Sequence, residues 1–351
     1  MTSWLPAARD DPAGLPDDAY VALLGADGDE LEELGALADE VRQETAGDAL
    51  TVVVNRNLDP ALVLDPDHLD ALVAEAWDLG ATEVCLQGPL PDAAGRDAAV
   101  ELVARIIAVA PLHVHAFRPA EVEAAAARRG SSVADFLTSA RAAGLGSVPG
   151  TAARILDDTV RAALTGGTDI PAARWVELIR AAHTAGLRST ATMVYGHVET
   201  AAQQVAHLRA LAAIQDAAGA ATGDPDVGFT EFIAMPFADV PPGLSVRGAS
   251  TRETRAVVAV ARLLLHGRID HVQAAWPKLD RAEVLAVLRG GADDLGGLLL
   301  DGFLDPTAGP EAGRVLTADD VTTIAAELGR PVRQRTTLYG EVPPERVTVG
   351  R

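Results

Sequence analysis

The sequence predicts an α/β fold, a single (β/α)8 barrel of the TIM type, and two observations carry that prediction. Short apolar runs alternate with longer helical ones about eight times between residues 50 and 300, without a long linker. Polar side chains gather where the short runs end, which is the face on which such barrels hold their chemistry. A doubly wound sheet would instead carry a glycine-rich phosphate loop after its first strand. Asn55–Arg56–Asn57 stands there.

The elements follow in order. Residues 1–28 are rich in Pro, Gly and Asp and predict an irregular lead-in; Asp29–Thr45 predicts an acidic amphipathic helix, with Leu31, Leu34, Leu37 and Val41 at three- and four-residue spacing. Strands are predicted at Leu50–Val54, Glu83–Leu86, Leu112–Ala116, Gly146–Val148, Ser189–Val194, Gly228–Ile233, Ile269–Ala274 and Leu295–Leu300. The helices between them include Pro66–Leu79, Arg96–Val109, Pro119–Arg129, Val133–Ala143, Pro171–Ala185, Thr200–Ala217 and Thr251–Leu265. Several open near Pro, Ser, Thr or Asp and close on a glycine, as at Gly80, Gly144, Gly186 and Gly267. The expected organisation is a lead-in and helix over 1–49, a barrel over 50–300 and an extension over 301–351. The basic strip Arg330–Tyr339 in that extension is expected to pack back on the barrel.

Composition narrows the function. The chain has 351 residues, 48% hydrophobic but only 4% aromatic, so Ala, Leu and Val build its core. A formal net charge of −21 disfavours nucleic acid and anionic membranes as partners. No run of 18 apolar residues occurs, and Met1–Tyr20 lacks the pattern of a signal peptide, so a cytoplasmic setting is expected. The single cysteine, Cys85, excludes an internal disulfide, and any cluster or zinc site that needs two thiolates from this chain. Its place in a strand suggests a small buried apolar residue.

The strand ends supply the candidate site. Tyr195, His197 and Glu199 surround Gly196 where the fifth strand ends, and Glu231 lies in the sixth. His197 is the natural proton carrier at neutral pH, with Glu231 or Glu199 as partner and Tyr195 beside it. The bland alternative is a capped strand-to-helix turn built by Glu199 or Thr200. Asn55, Arg56 and Asn57 are read as holding a phosphate or carboxylate, or as strand-end caps. Gln87 and His115 end the second and third strands. Gln273, Trp276 and Lys278 suit a planar polar ring, or are a core Trp beside a surface Lys. His113 and His115 share a strand face and could join His197 in a metal site, but no matching Asp or Lys accompanies them, so no metal is assigned.

Ordered motifs then point to a family. Val53–Val–Asn–Arg–Asn57, Gly80–Ala–Thr–Glu–Val–Cys–Leu–Gln–Gly88, His113–Val–His–Ala–Phe117, Pro149–Gly–Thr–Ala–Ala153, Ala191–Thr–Met–Val–Tyr–Gly–His–Val–Glu199, Phe229–Thr–Glu–Phe232 and Val272–Gln–Ala–Ala–Trp–Pro–Lys–Leu279 run in order along the chain. With Asp294–Leu–Gly–Gly297 and Gly329–Arg–Pro331 they resemble the FO (deazaflavin) synthase group of radical SAM enzymes, the CofH/FbiC group, with the menaquinone-pathway enzymes MqnC and MqnE as relatives. The resemblance implies a radical SAM barrel that joins a tyrosine-derived fragment to a ribityl-diaminouracil.

Departures from the pattern shape the functional expectation. The family carries a Cys-x-x-x-Cys-x-x-Cys loop for a four-iron cluster, whereas Leu58–Asp65 runs without cysteine into the next helix. Pro89 replaces a glycine in the turn that would hold S-adenosylmethionine, and Arg154 stands where the family has Glu. Arg154 is read as an anion clamp or as filler of the vacated space. These departures predict a chain without cluster or S-adenosylmethionine and with radical activity lost. It would bind a small polar ligand of deazaflavin or natural-product biosynthesis, with non-radical acid–base chemistry. The alternative is a non-catalytic partner docking on an active FO synthase or another pathway enzyme, or a homo-oligomer.

Overall fold

Ten strands appear in the computed structural model, which describes residues 4–223, 227–237, 246–300, 304 and 315–350. They are Leu50–Val53 (β1), Asn55–Leu58 (β2), Glu83–Leu86 (β3), His113–Ala116 (β4), Leu145–Val148 (β5), Arg188–Tyr195 (β6), Phe229–Pro236 (β7), Val272–Ala274 (β8), Asp294–Gly297 (β9) and Val332–Arg335 (β10). The sheet order is β10-β1-β9-β8-β7-β6-β5-β4-β3-β2, all parallel. β1 and β2 are halves of one run broken at Val54. The lower half lies between β9 and β10, and the upper half pairs with β3. The two ends of the sheet therefore meet on residues 50–58, and the sheet curls into the expected barrel.

Helices cover its outside. Pro66–Asp78 shows why: Pro66 sits in the first turn, the Asp65 side chain accepts the His68 N–H (3.3 Å), and Leu69, Leu72, Val73 and Ala76 are buried. Emptying one such site, as in Leu72→Ala, typically costs about 2–5 kcal/mol. The connection before this helix is a single 3₁₀ turn, Pro60–Leu64, capped by Asp59.

The lead-in differs from expectation, because Leu5–Asp10 and Asp17–Leu24 are helices. Pro6 and Pro16 occupy a first turn and an N-cap, where no N–H is needed. Tyr20, Leu23 and Leu24 of the second helix are buried. In the extension, 301–303 and 305–314 lie outside the described residues; its later part forms helix Ala318–Leu328 and β10. Among the described residues no helix is long and apolar enough to cross a membrane.

Candidate functional site

Strand side chains alternate in direction, and that alternation decides what reaches the barrel interior. Val53, Asn55 and Asn57 line a cavity of about 200 Å³ with Glu83, Cys85 and Gln87 from β3 and its end. His115, Thr190, Glu231, Ile233 and Met235 continue the wall, and Gln273, Lys278, Arg335 and Thr337 complete it. The structure thus brings together six of the predicted residues: Asn55, Asn57, Gln87, His115, Glu231 and Gln273.

The other six lie elsewhere. Arg56 has the opposite parity to Asn55 and Asn57, so it points outward and donates to Glu75 (2.6 Å). Tyr195 follows the outward parity of Ala191 and Met193, is fully buried, and its hydroxyl lies beside Thr254, outside the cavity. Arg154 pairs with Asp169 at 2.5 Å. The Trp276 indole N–H donates to the Gly297 carbonyl at 3.0 Å. His197 and Glu199 form the turn after β6: Glu199 accepts from the N–H groups of Gly196 (2.7 Å) and His197 (2.9 Å) and from Gln204 (2.8 Å). His197 Nδ1 lies 2.7 Å from the same carboxylate, and Nε2 is 2.9 Å from the Val194 carbonyl. Burial opposes the charge on Glu199, but these bonds outweigh it and hold the carboxyl at about 2. Gly196 has φ +85°, and a Cβ there would meet the Ala249 backbone at 2.6 Å, so the turn needs glycine. Thr200 caps the helix that follows. This is the capped-turn arrangement.

Two buried carboxylates dominate the cavity. Glu83 accepts from Cys85 (2.9 Å), Asn55 (3.3 Å) and Thr337 (2.6 Å). Burial disfavours its charge, but the facing histidines and these bonds together hold it below the usual carboxylate range. Burial pulls His115 down to about 4, leaving it neutral at pH 7. His113 and His115 share the Ser147 hydroxyl, at 2.7 and 2.6 Å. Glu231 is pushed the other way, to about 7, chiefly by burial, with Arg335 opposing and Asp294 and Glu83 adding to the rise. Cys85, buried beside Glu83, has its thiol pushed up and is held protonated. A carboxylate held charged and a carboxyl poised near neutrality divide the roles of acceptor and proton carrier.

The sequence reading passed over Glu83, Arg335, Thr337 and Tyr339 as site residues and gave Cys85 only a packing role. Arg335 donates to Asp294 (2.5 and 2.7 Å) and to Glu231 (3.0 Å), and the Tyr339 hydroxyl donates to Glu231. Parity from Asn55 and Cys85 would have found Glu83. Alternation within Arg333–Gln334–Arg335 was the available sign for the tail.

Likeness to solved structures defines the class. The barrel superposes on methylornithine synthase (PylB) with TM-score 0.64 at 17% identity, covering 93% of this chain and 95% of that one. It superposes on HydG, a maturase of the [FeFe]-hydrogenase, with TM-score 0.69 at 12% identity, covering 95% and 77%. The fold is the parallel β/α barrel that these two proteins have.

Sequence relatives narrow this further. Proteins named FO synthase match at 43% identity from Nocardia farcinica (96% of this chain, 41% of the relative) and at 42% from Streptomyces coelicolor (99% and 42%). An Archaeoglobus fulgidus protein named 5-amino-6-(D-ribitylamino)uracil–L-tyrosine 4-hydroxyphenyl transferase is 35% identical over 86% of this chain and 92% of its own length. No protein-family model matches. The chain belongs to the FO synthase family, in its CofH branch. It spans about two fifths of the length of the FO synthases it matches.

These relatives overturn the expectation of a chain without cluster or S-adenosylmethionine. FO synthases match nearly its whole length, and a single cysteine does not establish that the cofactors are absent. They do not show the loss of activity that those departures predict. The chain's own side chains still do not compose a three-thiolate set. Cys85 is its one thiol, facing Glu83, and among the described residues no group of three or more His, Cys, Asp or Glu could hold a metal ion.

Proposed function

We propose that the chain serves the part of FO synthase chemistry that recognises 5-amino-6-(D-ribitylamino)uracil, the compound named for its Archaeoglobus relative, and joins it to the 4-hydroxyphenyl group of L-tyrosine. The observation that carries this reading is the polar lining of the cavity. Asn55, Asn57, Gln87 and Gln273 face one space at the carboxyl ends of the strands. Asn55 is engaged by Glu83 and the Leu299 N–H, but the amides of Asn57, Gln87 and Gln273 carry donor and acceptor atoms that complement the imide edge and carbonyls of a uracil ring. Glu231 accepts both its hydrogen bonds on Oε2, so Oε1 is the atom that takes or returns a proton at the ring or its amino group. The open cavity supports ligand binding over the docking-partner alternative. The net charge of −21 supports work away from nucleic acid and anionic membranes.

Calorimetry with 5-amino-6-(D-ribitylamino)uracil tests the proposal. Saturable one-to-one binding, weakened by Glu231→Gln, is expected. Absence of measurable affinity at millimolar ligand would sink it.

A further inference from the structure

The ligand cavity is not completed by the barrel strands alone. β10 runs beside β1 in register, Val53 opposite Arg335, and stops where β3 begins beside Asn55. It thus fills the wall beneath β3 and delivers Arg335 and Thr337 to the cavity. Four residues beyond Arg335, Tyr339 turns back, its amide N–H bonded to the Thr336 carbonyl (3.0 Å). Its ring stacks on His271, and the Arg335 guanidinium lies 3.8 Å from its centroid. Both ring contacts aim the hydroxyl at Glu231 Oε2.

We propose that Tyr339 is a positioning residue for Glu231, holding that carboxyl against the ligand so that the C-terminal strand governs proton exchange in the cavity. This deepens the proposed function and rests on it for the identity of the ligand. The groups facing Glu231 are Arg335 and Tyr339 from the C-terminal segment, Asp294 from β9, and Glu83 and Cys85 from β3. His271 and Asp293 stand behind Tyr339, paired with each other at 2.7 Å. Burial keeps the Tyr339 phenol protonated well past neutrality, so it acts toward Glu231 as a donor. A donor to a carboxylate favours the charged form, and its removal raises the pH at which the carboxyl ionises.

The test is the titration of Glu231 in the full chain, followed by difference infrared spectroscopy of its carboxyl band and assigned by loss of that band in Glu231→Gln. Tyr339→Phe keeps both ring contacts and removes only the hydroxyl. It should raise the midpoint by about one pH unit. Biosynthetic replacement of tyrosine by 3-fluorotyrosine, a stronger donor, should lower the midpoint and does not depend on Tyr339→Phe folding. Tyr20 and Tyr195, the other tyrosines, make no hydrogen bond to Glu231. An unmoved midpoint in either experiment overturns the inference. Because the titration needs no ligand, a shifted midpoint without uracil binding would defeat the proposed function and leave this inference standing. Uracil binding with an unmoved midpoint would do the reverse.

Discussion

Tyr339 lies flat on His271, with ring centroids 3.5 Å apart and planes 3° from parallel. One ring follows the C-terminal strand and the other immediately precedes β8, so the contact pins the tail to the barrel's far side. His271 is itself held by Asp293, whose other oxygen takes Arg262 at 2.5 Å. A chain of polar and ring contacts, Arg262–Asp293–His271–Tyr339–Glu231, thus runs from the outer helix Thr251–Leu264 to the cavity.

Arg335 should be the most sensitive position for stability. It makes two bonds to Asp294, itself fully buried, and removing the guanidinium strands that carboxylate in the core. Arg335→Met is expected to lose about 3–5 kcal/mol in urea denaturation. The double change Arg335→Met with Asp294→Leu should recover part of it. A loss below about 1 kcal/mol would mean that the pair is not what holds β10 in place.

Gln273 is expected to act on affinity. Its amide lines the cavity beside Gly296, where a Cβ would come within 1.9 Å of it, so the side chain is held in place. Gln273→Ala should weaken 5-amino-6-(D-ribitylamino)uracil binding by roughly five- to a hundredfold, one lost hydrogen bond, with an unchanged circular dichroism spectrum.

Glu199 should reveal itself through acid. Its folded-state value of about 2 lies below the usual 4.5, so it stabilises the fold above about pH 4.5, and that contribution is lost as pH falls toward 2. At pH 7, Glu199→Gln is expected to cost on the order of 2–3 kcal/mol. The gap between mutant and native protein should close as the pH approaches 2. A gap independent of pH would show that the carboxylate charge contributes nothing to the turn.

Tyr195→Phe separates packing from function. The hydroxyl is buried beside Thr254 and outside the cavity, so its loss should change stability by no more than about 1 kcal/mol. Ligand affinity should stay within twofold of the native protein. A tenfold loss would return Tyr195 to the site.

Much of the fold was legible because it is local. The β–α alternation, the Pro and Gly punctuation and the apolar periodicities each act over a few residues, and helix Pro119–Arg129 and helix Val133–Ala143 stand where the pattern placed them. Strand Asn55–Leu58 was missed because its polar residues read as a loop, although a barrel interior accepts polar side chains when they line a cavity. The lead-in helices were missed because proline was taken as a breaker where it serves as a start.

The sequence by itself determined the barrel, the family and the group of amides and carboxyls at the strand ends, since strand parity and strand order are written in consecutive residues. Tertiary structure decided which of those residues meet. Tyr195, His197 and Arg154 sit within a few residues of strand ends, yet they turn into packing, a capped turn and an ion pair. Arg335, Thr337 and Tyr339 arrive at Glu231 and Glu83 from 104 to 254 residues away in the chain. No local pattern encodes that meeting. It exists because β1 leaves one edge free below β3, and the parallel strand that fills the edge carries its own charges into the core, where they need partners.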